Sequence, residues 1–247
     1  MFEDTNEKYY WLGLIVTDGH ISKTGELKVE LAVKDYDYLK NFGDFIGVET
    51  HIFPPYKSSK PNSNGTCRVK IKDLVNGVKL REFLSIVDKK TYSPISIDFI
   101  KNKNNLLSFL AGYVDGDGTI NKNGYIHIDA HINYENFMNN FGNKLKFEKL
   151  INKFSIVKYK DMVRLTIGKE DSFYIKQNLL SLSLPIMERK WNRISDTLVK
   201  KENYLLENKL KILELRKSGK TYKEICEIIK YKSSGTLCSF IKNNINQ

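Results

Sequence analysis

The chain carries the same nine-residue pattern twice. WLGLIVTDG spans residues 11–19 and LAGYVDGDG spans residues 110–118, and each copy is mostly apolar and ends in Asp-Gly. The same offset of 99 positions pairs Asp18 with Asp117, Gly13 with Gly112, Gly25 with Gly124, Val29 with Ile128, and Phe42-Gly43 with Phe141-Gly142. A register held over that length indicates an internal duplication. Two halves that each end a helix in one carboxylate predict a shared site on a pseudo-two-fold axis.

Each copy of the pattern places small residues one helical turn apart. Gly13 and Thr17 share a helix face, and so do Gly112 and Gly116. Small residues at this spacing allow two helix backbones to approach closely. We therefore predict that the two helices pack against each other through these faces.

The negative charge of the aspartate near the end of each copy is electrostatically unfavourable without a partner. We expect the following glycine to cap the helix in the left-handed conformation. A carboxylate at a helix C-terminus is then disfavoured by about 0.3–1 kcal/mol, and Asp18 and Asp117 also repel each other if they meet. A divalent cation would relieve both effects, and Mg²⁺ suits a site with few carboxylates. The alternative is that each Asp-Gly pair only makes a turn after a buried helix, but two copies in register favour a site.

At these residues the chain resembles the LAGLIDADG homing endonucleases. The second copy departs from the name-giving string only modestly, whereas the first is looser and has Val16 where the family often has an acid. The resemblance covers about the first 195 residues. It implies a monomeric enzyme that makes a metal-dependent, staggered double-strand break in duplex DNA at a long target, which promotes copying of its own gene.

The resemblance also implies the site residues. Asp18 and Asp117 would be catalytic and would hold two or three Mg²⁺ ions near the axis, with Gly19 and Gly118 in the same metal site. Asp115 is left out because its partner, Val16, cannot bind a metal.

Two lysines repeat after the aspartates. Lys90 follows Asp18 by 72 positions and Lys190 follows Asp117 by 73. In the family a basic residue near this point stands by the metals, where it can polarise the attacking water or steady the phosphate. Both lysines are therefore candidate catalytic residues, with Lys89 and Arg189 as the alternatives. The alternative is that each is an ordinary exposed lysine of a basic protein, without a catalytic role.

Composition agrees with a nucleic-acid partner. The chain has 40 Lys and Arg against 29 Asp and Glu, a formal net charge of +11 and a pI near 9.3, which is typical of a protein that binds a polyanion. Its three cysteines fit neither a disulfide framework nor a CxxC zinc site. We predict no signal peptide and no membrane association, hence an intracellular protein, cytoplasmic or organellar if intron-encoded.

Periodicity predicts an α+β fold, with a duplicated αββαββα core and a small all-α tail. The domain boundaries are 1–100, 101–195 and 196–247. After the first motif helix we predict strands at 26–34, 49–56 and 67–72 and helices at 35–46 and 75–87. In the second half we predict helices at 106–114, 135–147 and 171–182 and strands at 119–121, 125–133, 156–160 and 162–167.

One face of each predicted sheet is polar and basic. A twisted sheet with such a face can lie along a DNA groove, positioned on phosphates and reading base edges. A merely solvated face is the alternative. This face also carries three acids, Glu26, Glu30 and Asp129. They would have to accept hydrogen bonds from cytosine or lie away from the phosphates. The candidate DNA-binding residues are Lys28, Arg68, Lys70, Lys72, Tyr125, His127, His131 and Arg164.

The sequence pattern of the tail predicts a helix-turn-helix domain. Thr221 and Glu224 form a capping-box pattern that opens its second helix. The third helix would enter the major groove with Leu237, Phe240 and Ile241 buried. A generic three-helix packing unit is the alternative. The outward residues that we assign to DNA are Ser234, Thr236, Ser239 and Lys242.

A protein of this fold that no longer cuts remains the rival function. It would be a DNA-binding regulator or an intron-splicing maturase. The helix-turn-helix pattern favours a regulator, whereas RNA recognition usually displays exposed aromatic side chains for stacking. Both aspartates and both lysines are present, and this favours the enzyme.

Overall fold

The computed structural model describes residues 4–55, 65–86, 92, 94–194, 205, 208–231 and 233–245. The chain divides after Ile194 into two compact units. The first unit contains both copies of the repeated pattern, and the second unit is the tail.

The two halves of the first unit have the same order of elements. In the first half these are α1 (Asn6–Thr17), β1 (Gly19–Ile21), β2 (Leu27–Ala32), α2 (Tyr36–Ile46), β3 (His51–Phe53), β4 (Thr66–Ile71) and α3 (Leu74–Phe83). In the second half they are α4 (Lys103–Gly116), β5 (Gly118–Ile120), β6 (Ile126–His131), α5 (Glu135–Phe147), β7 (Phe154–Tyr159), β8 (Met162–Ile167) and α6 (Lys169–Leu180), followed by the short α7 (Glu188–Trp191).

Each half forms one antiparallel four-stranded sheet. The strand order is β1-β2-β4-β3 in the first half and β5-β6-β8-β7 in the second. Gly19 pairs with Val29 and Gly118 with Ile128, so the duplicated residues occupy the same register. The predicted α+β fold with a duplicated αββαββα core is therefore confirmed.

The predicted strand at 26–34 ends earlier than expected. β2 stops at Ala32, and Val33–Asp35 form a 3-10 turn. The alternation of apolar residues runs on through Val33 and does not mark this end. The partner strand decides it, because β4 begins at Thr66 opposite Ala32, and the Val33 amide donates to the Gly65 carbonyl at 3.3 Å.

Two elements of the first half also differ clearly from their predicted bounds. The strand expected at 49–56 is only His51–Phe53, because Pro54 follows and has no N–H for the ladder. The helix expected at 75–87 begins at Leu74, with Asp73 as its N-cap, and ends at Phe83. By contrast, the helix at 135–147 and the strand at 162–167 have the predicted bounds.

Helices α1 and α4 pack through their glycine faces, as predicted. A Cβ atom at Gly112 would overlap the Tyr10 carbonyl oxygen, and one at Gly13 would lie 2.6 Å from the Tyr113 amide nitrogen. Further along, Gly116 faces the Thr17 side chain. The backbones of the two helices are therefore in direct contact.

Glycines 19 and 118 do not have the predicted left-handed conformation. The residues with positive φ in the described chain do not include them, and Asp18 and Asp117 themselves are the right-handed C-caps. Glycine is needed here for a different reason. A Cβ at Gly19 would lie 2.8 Å from Ile15 Cα, and one at Gly118 would crowd Val114. Strands β1 and β5, which begin at these glycines, therefore pack tightly against the motif helices that precede them.

The tail unit contains α8 (Lys209–Lys217), α9 (Tyr222–Ile228) and α10 (Ser234–Ile245). Its core consists of Leu205, Ile212, Ile225, Cys226, Ile229, Leu237 and Ile241. The predicted capping box is present, since the Glu224 amide donates to Thr221 Oγ1 and the Thr221 amide donates to the Glu224 carboxylate. No described helix is both long and apolar enough to cross a membrane.

We expect Gly112→Ala to lower the free energy of unfolding of the first unit by about 1–3 kcal/mol or more, because backbone atoms must move apart. The matched control is Gly168→Ala, where φ is −67° and no atom lies within 4 Å of the added Cβ. The control should cost no more than about 1 kcal/mol. Urea unfolding followed by tryptophan fluorescence measures this unit, because both tryptophans, Trp11 and Trp191, lie in it. Equal losses in the two variants would contradict the close helix contact.

Candidate active site and nucleic-acid interface

The two motif helices end side by side, and each ends in an aspartate. Asp18 caps α1 through its amide, which donates to the Leu14 carbonyl at 2.9 Å, and Asp117 caps α4 in the same way. The Asp18 Oδ2 atom lies 3.2 Å from the position that a Cβ would take on Gly116, next to Asp117. The structure therefore brings the two predicted metal ligands together across the pair of helices.

The donor chemistry at the helix ends fits a hydrated divalent cation. Two carboxylates there stand at the negative ends of two helix dipoles, where positive charge is stabilised. Across the part of the chain that the structure describes, His, Cys, Asp and Glu form no group of three or more that could hold a metal ion. Mg²⁺ is commonly held by one or two carboxylates, with waters and substrate phosphates as its other ligands. Asp18 and Asp117 supply a set of that kind.

Lys190 is anchored at the end of α4. Its Nζ atom lies 2.7–2.9 Å from the carbonyl oxygens of Val114, Asp115, Gly116 and Gly118, so its three N–H groups are shared among four acceptors. Burial lowers the pKa of Lys190, and the negative charges of nearby aspartates oppose this shift. The ammonium thus compensates the C-terminal carbonyls of α4 and of the turn that carries Asp117.

The side chain of Asp115 is buried in the core. Its carboxylate accepts hydrogen bonds from the Tyr10 hydroxyl at 2.6 Å, the Met187 amide at 2.9 Å and the Trp191 indole at 2.8 Å. Burial raises the pKa of Asp115 to about 6, although these hydrogen bonds act in the opposite direction. The carboxylate joins α1, α4 and the chain around α7.

Arg189 has a different partner from its neighbour Lys190. Its Nε and Nη2 atoms donate to the two carboxylate oxygens of Asp35, at 2.8 and 2.9 Å. Of the two candidates Arg189 and Lys190, it is therefore Lys190 that lies at the end of α4. Lys90 and Lys89 lie outside the described residues.

Sequence reasoning missed this use of α7. It contacts both halves, because Arg189 pairs with Asp35 of the first half and Trp191 with Asp115 of the second. The signal was the run Met-Glu-Arg-Lys-Trp at 187–191, which combines two cations with a large aromatic residue. The partners are up to 154 positions away, and no spacing rule identifies them.

The polar face of the first sheet carries ion pairs both between strands and within β2. Arg68 on β4 contacts Glu30 on β2 at 2.8 Å, Lys28 approaches the same carboxylate at 3.4 Å, and Lys70 pairs with Glu26 at 2.8 Å. Burial acts to raise the pKa of Glu30, but the hydrogen bonds from Arg68 and Lys28 outweigh it and hold the pKa below its ordinary value. The acids on this face therefore orient the cations.

The second sheet carries different groups on its polar face. Arg164 on β8 donates to both oxygens of Asp129 at 2.8 Å, and these hydrogen bonds lower the pKa of Asp129. His127 lies 3.0 Å from the Asn121 amide and 3.0 Å from Thr166 Oγ1. Burial lowers the pKa of His127, and the positive charge of Arg164 acts in the same direction.

The remaining predicted DNA-binding residues of the first unit lie at the rims of these faces. Lys72 follows β4 and is exposed. Tyr125 precedes β6, and its ring stacks on that of His127 with a centroid distance of 6.4 Å. His131 ends β6 and meets the Tyr92 ring edge-on at 4.9 Å.

The architecture is similar to that of solved structures of homing endonucleases. The homing endonuclease I-WcaI bound to its DNA recognition sequence aligns with a TM-score of 0.55 and 13% identity, over 77% of this chain and 86% of that chain. The first unit has the duplicated LAGLIDADG endonuclease fold. The meganuclease I-SmaMI bound to uncleaveable DNA gives a TM-score of 0.49 at 16% identity, over 86% of this chain and 98% of that chain. I-DmoI in complex with DNA and Mn gives 0.47 at 15%, over 72% and 98%.

No protein-family model and no curated protein matches the chain. Helices α1 and α4 belong to different halves and are in backbone contact, so Asp18 and Asp117 stand where both halves can contribute to one site.

We expect Lys190→Met to lower the free energy of unfolding by about 1–3 kcal/mol, because the α4 carbonyls lose their donor in a half-buried place. Lys144→Met is the control, since the Lys144 Nζ donates to a single carbonyl, that of Ile97, at 2.9 Å. Urea unfolding of both variants should show the larger loss for Lys190. A loss no larger than that of the control would mean that the ammonium does not support the helix end.

Proposed function

We propose that the protein is a site-specific homing endonuclease that makes a Mg²⁺-dependent double-strand break in duplex DNA. The observation that carries this proposal is the pair of aspartates, Asp18 and Asp117, at the adjoining ends of two helices in backbone contact. Both aspartates belong to one chain, which supports a monomeric enzyme.

The chain's own residues would divide the work at the helix ends. Asp18 and Asp117 would hold two or three Mg²⁺ ions, each half supplying one carboxylate for one strand. When bound, the metal supplies positive charge that stabilises the attacking and leaving oxygens of a phosphodiester. Lys190 keeps the carbonyls of the Asp117 turn in place, and this fixes where that carboxylate stands.

The two sheets would bind the target. Their polar faces carry Lys28, Arg68 and Lys70 in the first half and His127 and Arg164 in the second. With a formal net charge of +11, the protein is attracted to a DNA backbone over a long range at low salt. The target would be long because each sheet would contact the DNA on its own side of the site.

We expect Asp18→Asn and Asp117→Asn to abolish double-strand cleavage, or to leave only a nick, while DNA binding persists. The amide keeps the shape of the side chain but removes the charge that the cation needs. Asp37→Asn is the matched control, because Asp37 is exposed on α2 and the change in net charge is the same. The substrate is a supercoiled plasmid that carries a target selected by the protein from a randomised duplex library. Gel electrophoresis then separates the intact, nicked and linear forms.

Full double-strand cleavage by the Asp18→Asn, Asp117→Asn double variant would contradict the proposed mechanism. A wild-type protein that binds a defined duplex and never cuts it in Mg²⁺ or Mn²⁺ would instead be a regulator of the same fold. Preference for an intron RNA over duplex DNA would indicate a maturase.

We also propose that the tail is a helix-turn-helix domain that extends the target. Its support is the three-helix core and the capping box of α9. Along α10, Leu237 and Ile241 are buried while a polar set is exposed. These exposed side chains could reach base edges and one phosphate; they are Ser234, Thr236, Ser239 and Lys242.

Thr236→Ala with Lys242→Ala should shorten the protected footprint at one end of the target and weaken binding. The salt dependence of binding should also flatten by about one unit of slope for the lost lysine. Footprinting and titrations at several salt concentrations measure both effects. Lys209→Ala, at the start of α8, serves as the control for lost charge. An unchanged footprint and an unchanged slope would show that α10 does not touch the target.

A further inference from the structure

Each sheet holds one arginine in an equivalent place. Arg68 lies opposite Glu30 in the β2–β4 pair, and Arg164 lies opposite Asp129 in the β6–β8 pair. The two acids are 99 positions apart, like the aspartates of the repeated pattern, but the two arginines are 96 apart. The sheet register, and not the sequence offset, therefore relates them.

The contacts of the two arginines also match. The Nε and Nη2 atoms of Arg68 lie 2.9 and 2.8 Å from Glu30 Oε2, and those of Arg164 lie 2.8 Å from the two oxygens of Asp129. In both cases the carboxylate engages the same side of the guanidinium group. It therefore fixes the plane of a group that has five N–H donors.

An aromatic ring also lies near each guanidinium group. It comes from the strand on the other side of the arginine strand, β3 in the first sheet and β7 in the second. The Arg68 guanidinium lies 4.3 Å from the centroid of Phe53 on β3, and that of Arg164 lies 5.4 Å from the centroid of Tyr159 on β7. Phe53 pairs with Thr66 and Tyr159 with Met162, in each case two residues before the arginine. The two rings are thus equivalent in register as well.

The other cations on these faces do not recur. Lys28 pairs with Lys70 in the first sheet, whereas the equivalent pair in the second sheet is His127 with Thr166. Both ion pairs are partly open to solvent, and ion pairs at a protein surface add little to stability, about 0–1 kcal/mol each. A stability role therefore gives no reason why only the arginine, the acid and the ring should be present in both sheets.

We propose that Arg68 and Arg164 are a matched pair of guanine-reading residues, one for each half of the target. Each guanidinium would donate to O6 and N7 of a guanine in the major groove, a geometry that arginine provides and lysine does not. Because the two sheets are related by the pseudo-two-fold axis, the two guanines would lie at equal distances from the centre of the target, on opposite strands. This inference rests on the proposed function, since it requires a duplex DNA target.

The test is selection of bound duplexes from a randomised library by the full-length protein without divalent metal, so that no duplex is cut. The wild type should select a G·C pair at two mirror-related positions. Arg68→Lys should lose the preference at one of them and Arg164→Lys at the other. Each loss should amount to about 5- to 150-fold in discrimination against the other bases, with the remaining positions unchanged.

Two controls separate base reading from other roles. Lys158→Met removes a cation that pairs with Glu135 of α5 at 2.7 Å, and it should leave the selected sequence unchanged. Glu30→Gln and Asp129→Asn keep the arginines but release them, so each should broaden the preference at its own position alone. Thermal unfolding confirms that all variants are folded.

Arg→Lys variants that select the same sequences as the wild type would overturn the inference, because a phosphate contact or a static ion pair tolerates lysine. Selection of a target without mirror-related guanines would overturn it as well, and both results would leave the endonuclease proposal intact. Failure of the wild type to select any duplex would overturn the proposed function and this inference together.

Discussion

The direct contact between the backbones of α1 and α4 is the constraint on which the rest of the first unit depends. It requires glycine at 13 and 112, where any side chain would meet backbone atoms of the other helix. The contact brings the ends of the helices together, and with them Asp18 and Asp117. A carboxylate pair at two helix C-termini is electrostatically costly on its own. The geometry that packs the halves is therefore also the geometry that would create the proposed cation site.

Around this contact, α7 holds the two halves by side chains of different kinds. Lys190 compensates the end of α4, Arg189 pairs with Asp35, and the Trp191 indole donates to the buried Asp115. Each of these contacts satisfies a polar group that would be costly to leave without a partner. A four-residue helix can thereby fix the turn that carries Asp117.

The sheets, by contrast, offer chemistry that differs between the halves. Lys28 and Lys70 of the first sheet correspond in register to His127 and Thr166 of the second, while Arg68 and Arg164 share one arrangement. A duplicated scaffold with unlike faces suits a duplex target whose two halves differ in sequence. The matched arginines would then set the symmetric part of that target and the other residues its asymmetric part.

The duplication, the α+β class, the contact between the motif helices and the approach of Asp18 to Asp117 could all be predicted from the amino-acid sequence. These follow from local periodicity and from a register that one chain repeats, as Gly13 and Gly112 show. The end of β2 at Ala32, the conformation of Gly19 and Gly118, and the partners of Lys190 and Arg164 could not be predicted in this way and are set by the folded chain. Those depend on strand pairing and on contacts between residues far apart in the chain, and local pattern carries no information about which distant group will complete a hydrogen bond.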